Sequence, residues 1–175
     1  RNRITGILNG ENFQIVFLDT PGITERKMEL NKILNGSAIG SLEMAEIVLY
    51  FADVYHFKLD TDILTLLKKC KKDVICVLNK IDRVDKAKIL PIIKELSNYG
   101  FIKDFIPISA LKNIKIDEVT KAILNYLPEG DFYYPQEYIS GNSERFIIAE
   151  AIKGAIFNFL GDEIPYSCAV YVDQM

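Results

Sequence analysis

Apolar residues fall along this chain in short dense runs that alternate with stretches of three-to-four spacing, so strands alternate with helices. Ile4-Thr5-Gly6-Ile7-Leu8 and Phe13-Gln14-Ile15-Val16-Phe17-Leu18 flank Asn9-Gly10, a dipeptide whose tolerance of positive φ suits a tight antiparallel hairpin. The second run is dense enough in branched and aromatic side chains to read as a buried strand, and it stops at Asp19-Thr20-Pro21-Gly22. Leu30, Ile33, Leu34, Ala38, Leu42 and Ala45 mark a helix that Gly36 and Gly40 weaken. Ile47–Ala52 is the next strand, and Asp60 caps a helix with Ile63, Leu64 and Leu67 on one face.

Val74-Ile75-Cys76-Val77-Leu78 runs straight into Asn79-Lys80-Ile81-Asp82. A helix from about Ala87 to Tyr99 turns Ile89, Ile92, Ile93 and Leu96 inward, Phe105–Ile108 is a strand ending in Ser109-Ala110, and Ile116, Val119, Ile123 and Leu127 mark the next helix. Strands apolar on both faces, joined through helices, predict an α/β fold with a mostly parallel sheet sandwiched by helices. Leu127-Pro128-Glu129-Gly130-Asp131 breaks the last of these helices, and the tract to Asn142 reads as a linker aromatic enough to rest on something. A helix from Ser143 buries Phe146, Ile148, Ile152, Ala155, Ile156 and Phe159 and closes at Gly161; after Pro165, Ser167 to Asp173 alternates like a half-buried strand. The expected organisation is a first domain over 1–128, a linker over 129–142 and the start of a second domain over 143–175.

Composition narrows the picture without supplying a function. The chain has 175 residues, 49% of them apolar, which suffices for one core of ordinary size. A net charge of -3 advertises no nucleic acid or acidic surface by bulk electrostatics, so such a partner needs local features. Cys70, Cys76 and Cys168 lie in apolar runs with no C-x-x-C spacing, which argues against a disulfide framework or zinc site and for a reducing cytosol. No apolar run approaches a membrane span. Beginning on Arg1 inside a strand and ending on Met175 within another pattern, the sequence reads as cut at both ends.

The chemistry sits at strand ends. Ligands of parallel sheets bind outside the carboxyl ends of the strands, so Asp19 is well placed to hold a cation and the Gly22 N–H to meet a phosphate oxygen. A plain turn explains Asp-Thr-Pro-Gly equally well when it is taken alone. Asn-Lys-x-Asp has a sharper meaning. Guanine presents N1–H and its 2-amino group side by side, and one carboxylate, Asp82, accepts both, which adenine cannot reciprocate. Asn79 would brace the loop, the Lys80 stem would lie across the ring, and the Ala110 amide would donate to O6 beside Ser109. Most such tetrapeptides are solvated turns; the order Asp-x-x-Gly, Asn-Lys-x-Asp, Ser-Ala, each after a strand, decides against that here. His56 reads as a surface loop residue, and Asp53, Asp60 and Asp85 as caps or solvated loop residues.

These motifs resemble the translation-factor-like GTPases, and more closely the Era-like GTPases. The narrower likeness rests on Arg1-Asn2-Arg3-Ile4, Asp19-Thr20-Pro21-Gly22-Ile23, Leu127-Pro128-Glu129-Gly130 with Tyr134-Pro135, and Glu163-Ile164-Pro165-Tyr166-Ser167 after the helix bearing Arg145-Phe146. The resemblance implies a Ras-like domain that binds GTP or GDP and Mg²⁺, with Asp19 on the metal, Gly22 sensing the γ-phosphate, and Asn79, Lys80, Asp82, Ser109 and Ala110 on the base. It implies a slow GTPase acting in small ribosomal subunit assembly through ribosomal RNA, not DNA, in the cytoplasm, with peripheral membrane association in some relatives. Residues 143–175 would open a type II KH RNA-binding domain.

Two departures from the family pattern stand out. No glycine is followed by lysine, so the phosphate-cradling G-x-x-x-x-G-K-[ST] and the first strand of the sheet are missing, as is the G-x-x-G of the KH domain. Ile23 stands where Ras-like enzymes carry a water-orienting Gln, which predicts slow hydrolysis, while the chain as given is expected to be inactive. Two other readings share the motifs: a degenerate, non-enzymatic scaffold, and a related GTPase of transfer-RNA modification or large-subunit assembly.

Overall fold

The computed structural model describes residues 4–19, 42–160, 170 and 172. The chain divides into two compact units, one comprising Arg1–Thr20 with Phe132–Met175 and the other Pro21–Asp131. This division differs from the expected boundaries at 128 and 142, and the reason lies in how the first unit is bonded.

In that unit β1 (Ile4–Asn9) pairs antiparallel with β2 (Gln14–Asp19), from Ile4 opposite Asp19 to Asn9 opposite Gln14. The hairpin loop is the four residues between Asn9 and Gln14. Asn9 is still in the ladder, the Gly10 N–H donates to the Phe13 carbonyl at 2.9 Å, and the Phe13 ring lies where a Cβ on Gly10 would sit. β2 is less buried than its composition suggests, with Ile15 alone buried among its residues.

The tract expected as a linker runs along β1. Gly6 and Ser140 form an antiparallel bridge, the Ile7 N–H donates to Ile139 O at 2.9 Å, and Gly141 N–H donates to Thr5 O at 3.3 Å. Side chains fasten it further. Gln14 Nε2 donates to Asn9 Oδ1 and Tyr134 O while its Oε1 accepts from the Tyr134 N–H, and Asn9 Nδ2 donates to the carbonyls of Gln136 and Tyr138. Gln14→Ala removes both halves of that clasp at once; losing a satisfied, half-buried amide costs about 1–3 kcal/mol. We expect faster amide exchange over 132–142 in the variant, with exchange in β4 (Asp73–Asn79) unchanged.

From Ser143, whose Oγ accepts from the Phe146 N–H at 3.4 Å, α4 (Glu144–Leu160; numbered last in chain order) follows. Its expected inward face is covered only in part: Phe146 and Ile156 are half-buried, while Ile148, Ile152, Ala155 and Phe159 are exposed, Phe159 at 89%. The neighbouring Ile147 is exposed as well, so apolar residues do not gather on one stripe. Gly161 and the strand expected from Ser167 lie outside the described residues, apart from positions 170 and 172.

The second unit carries the parallel sheet, in the order β3 (Ile47–Asp53), β4, β5 (Ile102–Pro107). β4 is central, and Val74 to Leu78 are all fully buried because helices cover both of their faces. Val74, Cys76 and Leu78 share one cluster with Leu64 and Leu67 of α1 (Thr61–Cys70) and Ile89, Ile92 and Leu96 of α2 (Ile89–Leu96). The alternate residues Ile75 and Val77 face the other way, towards the side where α3 (Ile116–Leu124) buries Val119 and Ile123. Asp60 caps α1 as expected, its Oδ1 accepting from the Asp62 and Ile63 N–H groups at 3.0 Å each. α2 is shorter than its periodicity predicts. A 3-10 turn, Lys86–Lys88, precedes it, and Pro91 sits in its first turn, where the missing N–H has no partner to lose. β5 begins earlier than its apolar run, and the register slips between Val74 and Ile75 so that Lys103 is an extra residue with none opposite it on β4. Most of the helix expected over 30–45 lies outside the described residues, Leu42 to Met44 being helical. Among the described residues no helix is long and apolar enough to cross a membrane.

Candidate functional site

Parallel strands of matched length end together: in the second unit β3 ends on Asp53 and β4 on Asn79, and Ser109 stands two residues beyond the end of β5. Asp53 is opposite Asn79 in the register, and Leu78 is opposite Pro107. Backbone bonds then tie the loops beyond the ladder: Val54 N–H donates to Asn79 O at 3.0 Å, Ile108 N–H to Leu78 O at 2.8 Å, and Ile81 N–H to Ile108 O at 3.1 Å. The Asn-Lys-x-Asp loop and the Ser-Ala loop are thereby one rigid edge.

Side chains complete it. Asn79 Oδ1 accepts from two N–H groups, that of Lys80 at 2.7 Å and that of Ala110 at 3.0 Å, bridging the two loops. The expected brace is present, while the Ala110 N–H assigned to a base oxygen is engaged by Asn79. Ser109 is fully buried; its Oγ donates to Asp82 Oδ1 at 2.6 Å and accepts from the Lys112 N–H at 3.2 Å. It is also locked by a two-bond bridge to Ile114, at 3.2 and 2.9 Å. Ser109 therefore sets the rotation of a carboxylate that faces solvent.

That carboxylate is ready to accept. The Ser109 hydroxyl above all, with the Asp82 N–H and the positive charges of Lys112 and Arg83, holds it below the usual aspartate range against the opposing effect of burial. It is ionised at neutral pH, as a receiver of two donors must be.

Sequence reasoning set Asp53 aside as a cap or solvated loop residue, and its link to Lys80 went unseen. Its Oδ1 accepts from the Tyr55 N–H at 2.9 Å and the His56 N–H at 3.4 Å, and its Oδ2 accepts from Lys80 Nζ at 2.7 Å. Partial burial alone would raise this carboxyl, but the Lys80 ammonium and the two N–H groups outweigh it and bring the value down to about 2. The signal that could have found it was register: Asp53 ends β3 directly opposite Asn79, the last residue of β4. His56 is a loop residue as expected, 3.5 Å from Asp53 Oδ2 with its ring against Tyr55, whose other neighbour is the Arg83 guanidinium.

Five predicted residues are thus brought together: Asn79, Lys80, Asp82, Ser109 and Ala110. Asp19 is the exposed last residue of β2, in the other unit. Gly22 and Ile23 lie outside the described residues. Among the described residues no cluster of three His, Cys, Asp or Glu side chains could hold a metal; a lone carboxylate suits an ion such as Mg²⁺, which keeps waters and phosphate oxygens as its other ligands. A cleft of about 270 Å³ lined by Asp104, Ile106, Glu118 and Lys121 contains none of the predicted residues.

Comparison with known proteins points the same way as the strand tips. The family model for the elongation factor Tu GTP binding domain matches residues 5–129. GTPase Era of Lactobacillus delbrueckii subsp. bulgaricus is 36% identical over 176 aligned positions, covering 100% of this chain and 58% of that protein. GTPase Era of Yersinia pestis is 34% identical, covering 99% of this chain and 58% of its own length. Among solved structures, Era in complex with MgGDPNP and nucleotides 1506–1542 of 16S ribosomal RNA superposes with a TM-score of 0.84 at 36% identity, over 98% of this chain and 60% of that one. A variant of Aquifex aeolicus Era bound to GDP.AlF4- gives 0.85 at 34% identity, over 99% and 60%. The chain spans 58% of the length of these curated relatives.

Proposed function

This chain belongs to the family of the elongation factor Tu GTP-binding domain and is Era-like along its whole length, and from that premise we propose that the full-length protein is a guanine-nucleotide switch of small ribosomal subunit assembly. GTP and GDP with Mg²⁺ are its ligands, as in the Era structures solved with MgGDPNP and GDP.AlF4-. The observation that carries the base assignment is the half-buried, ionised Asp82 carboxylate, whose rotation is set by the buried Ser109 hydroxyl. Guanine N1–H and its 2-amino group fit that acceptor pair, and Asn79 fixes the neighbouring loop that would meet the other edge of the base.

In this reading residues 1–128 belong to the GTPase domain, Asp19 reaches Mg²⁺ through water, Gly22 senses the γ-phosphate, and 143–175 begin a KH-type RNA-binding module. The support for an RNA partner is the Era complex with 16S ribosomal RNA. Hydrolysis is slow, because an aliphatic Ile23 can neither orient nor deprotonate water.

The test is nucleotide selectivity. Full-length protein should bind GDP and reject ADP by at least about 10³-fold, since a wrong base leaves a carboxylate without its donors. Equal binding of the two removes the base assignment. The 175-residue chain, which carries no G-x-x-x-x-G-K-[ST], should show no turnover and no tight binding by calorimetry. Each absent charged hydrogen bond to phosphate is worth about 1.5–3 kcal/mol. Submicromolar GTP binding by this chain would show that the phosphate grip lies elsewhere.

A further inference from the structure

Lys80 is held at both ends. Its backbone is left-handed, φ 69° and ψ 34°, a conformation that costs a residue with a Cβ about 1–2 kcal/mol. Its N–H is fixed by Asn79 Oδ1, and its Nζ is fixed by Asp53 Oδ2 across the parallel pair β3 and β4. Asp53 is in turn immobilised by the Tyr55 and His56 N–H groups on its other oxygen, so the anchor does not swing with its load.

Stability does not explain this arrangement. The Lys80 side chain is 46% exposed and that of Asp53 32%, and ion pairs so placed contribute little to folding. A strained backbone closed by a weakly stabilising pair makes sense when the geometry itself is used. What lies between the two anchors is a chain of four methylenes, an apolar strip at the site where Asp82 receives a base.

We propose that Asp53 is a positioning residue for nucleotide binding, which pins the Lys80 ammonium so that the methylene stem forms a fixed platform for the face of the purine. The inference rests on the guanine reading of this site. Asp53 touches no part of the nucleotide; it acts through Lys80, lowering the side-chain entropy lost when a base settles on the stem.

The experiment is a double-mutant cycle in the full-length protein, with Asp53→Ala, Lys80→Ala and the pair, followed by the dissociation of a fluorescent GDP and by displacement with ADP. Asp53→Ala should speed GDP release by roughly three- to tenfold. In the Lys80→Ala background the same change should add almost nothing, and the thermal midpoint should stay within about 2 °C of the parent. Equal effects of Asp53→Ala in both backgrounds, or no effect with Lys80 present, overturn the proposal while leaving guanine selectivity intact. Loss of GDP-over-ADP preference in the unmutated protein sinks the guanine reading and this inference with it.

Discussion

Asp82→Asn should convert the full-length protein from a guanine to a xanthine nucleotide binder, weakening GDP by about 10³-fold or more and strengthening XDP by a comparable factor. The carboxylate offers two acceptors to the N1–H and 2-amino donors of guanine. The amide offers one acceptor and one donor, so its NH₂ opposes the 2-amino group and meets the 2-carbonyl of xanthine instead. The structure adds a reason why the switch should be clean. Ser109 donates to Asp82 Oδ1 at 2.6 Å, and an amide oxygen still accepts that bond, more weakly than a carboxylate oxygen, whereas an amide NH₂ cannot accept it. The buried hydroxyl therefore selects which end of the amide turns inward, leaving the NH₂ for the base. Competition of GDP and XDP for one fluorescent nucleotide reads both arms. Retained preference for GDP means that Asp82 is not the group that reads the base.

How much of this was visible in the sequence varies from element to element for physical reasons. β4 was legible because a strand covered on both faces must be apolar throughout, and Val74 to Leu78 are. α1 was legible to its first residue because Asp60 caps it locally, through bonds to residues two and three positions on. The convergence of the five predicted residues of the second unit was legible because each lies at or just beyond a strand end, and parallel strands end in register.

What was hidden depends on partners distant in sequence. The 132–142 tract carries no hydrophobic period; its order comes from β1 and from Gln14, 120 residues away from Tyr134. The Lys80–Asp53 pair needs the β3–β4 register before it can be seen, because the two residues stand 27 positions apart and nothing local links them. The α4 helix was legible as a helix, yet the face expected to be buried is largely exposed, because Ile147 and Ile148 adjoin and no single stripe is apolar. Asp19 shows the same limit from the other side. Its position at a strand end follows from local pattern, but pattern says nothing about what it approaches.

Asn79→Ala should produce the second large loss, and of a different kind. Asn79 Oδ1 is the shared acceptor of the Lys80 and Ala110 N–H groups, and deleting it strands both. Because Lys80 and Ala110 are exposed, water replaces the lost acceptor and the stability cost stays near 1 kcal/mol, a fall of about 2–4 °C in thermal midpoint. Nucleotide binding has no such compensation. The bridge is what holds the Asp82 loop and the Ser109-Ala110 loop at one spacing through side chains, and a base must meet both loops at once. Affinity for GDP should therefore fall by about 10²-fold with XDP falling equally, since geometry is lost and donor-acceptor identity is not. Unlike Asp82→Asn, the variant gains no ligand. An Asn79→Ala protein that releases GDP at the parental rate would mean that the backbone bonds from Ile81 to Ile108 and from Ile108 to Leu78 suffice to hold the two loops in place.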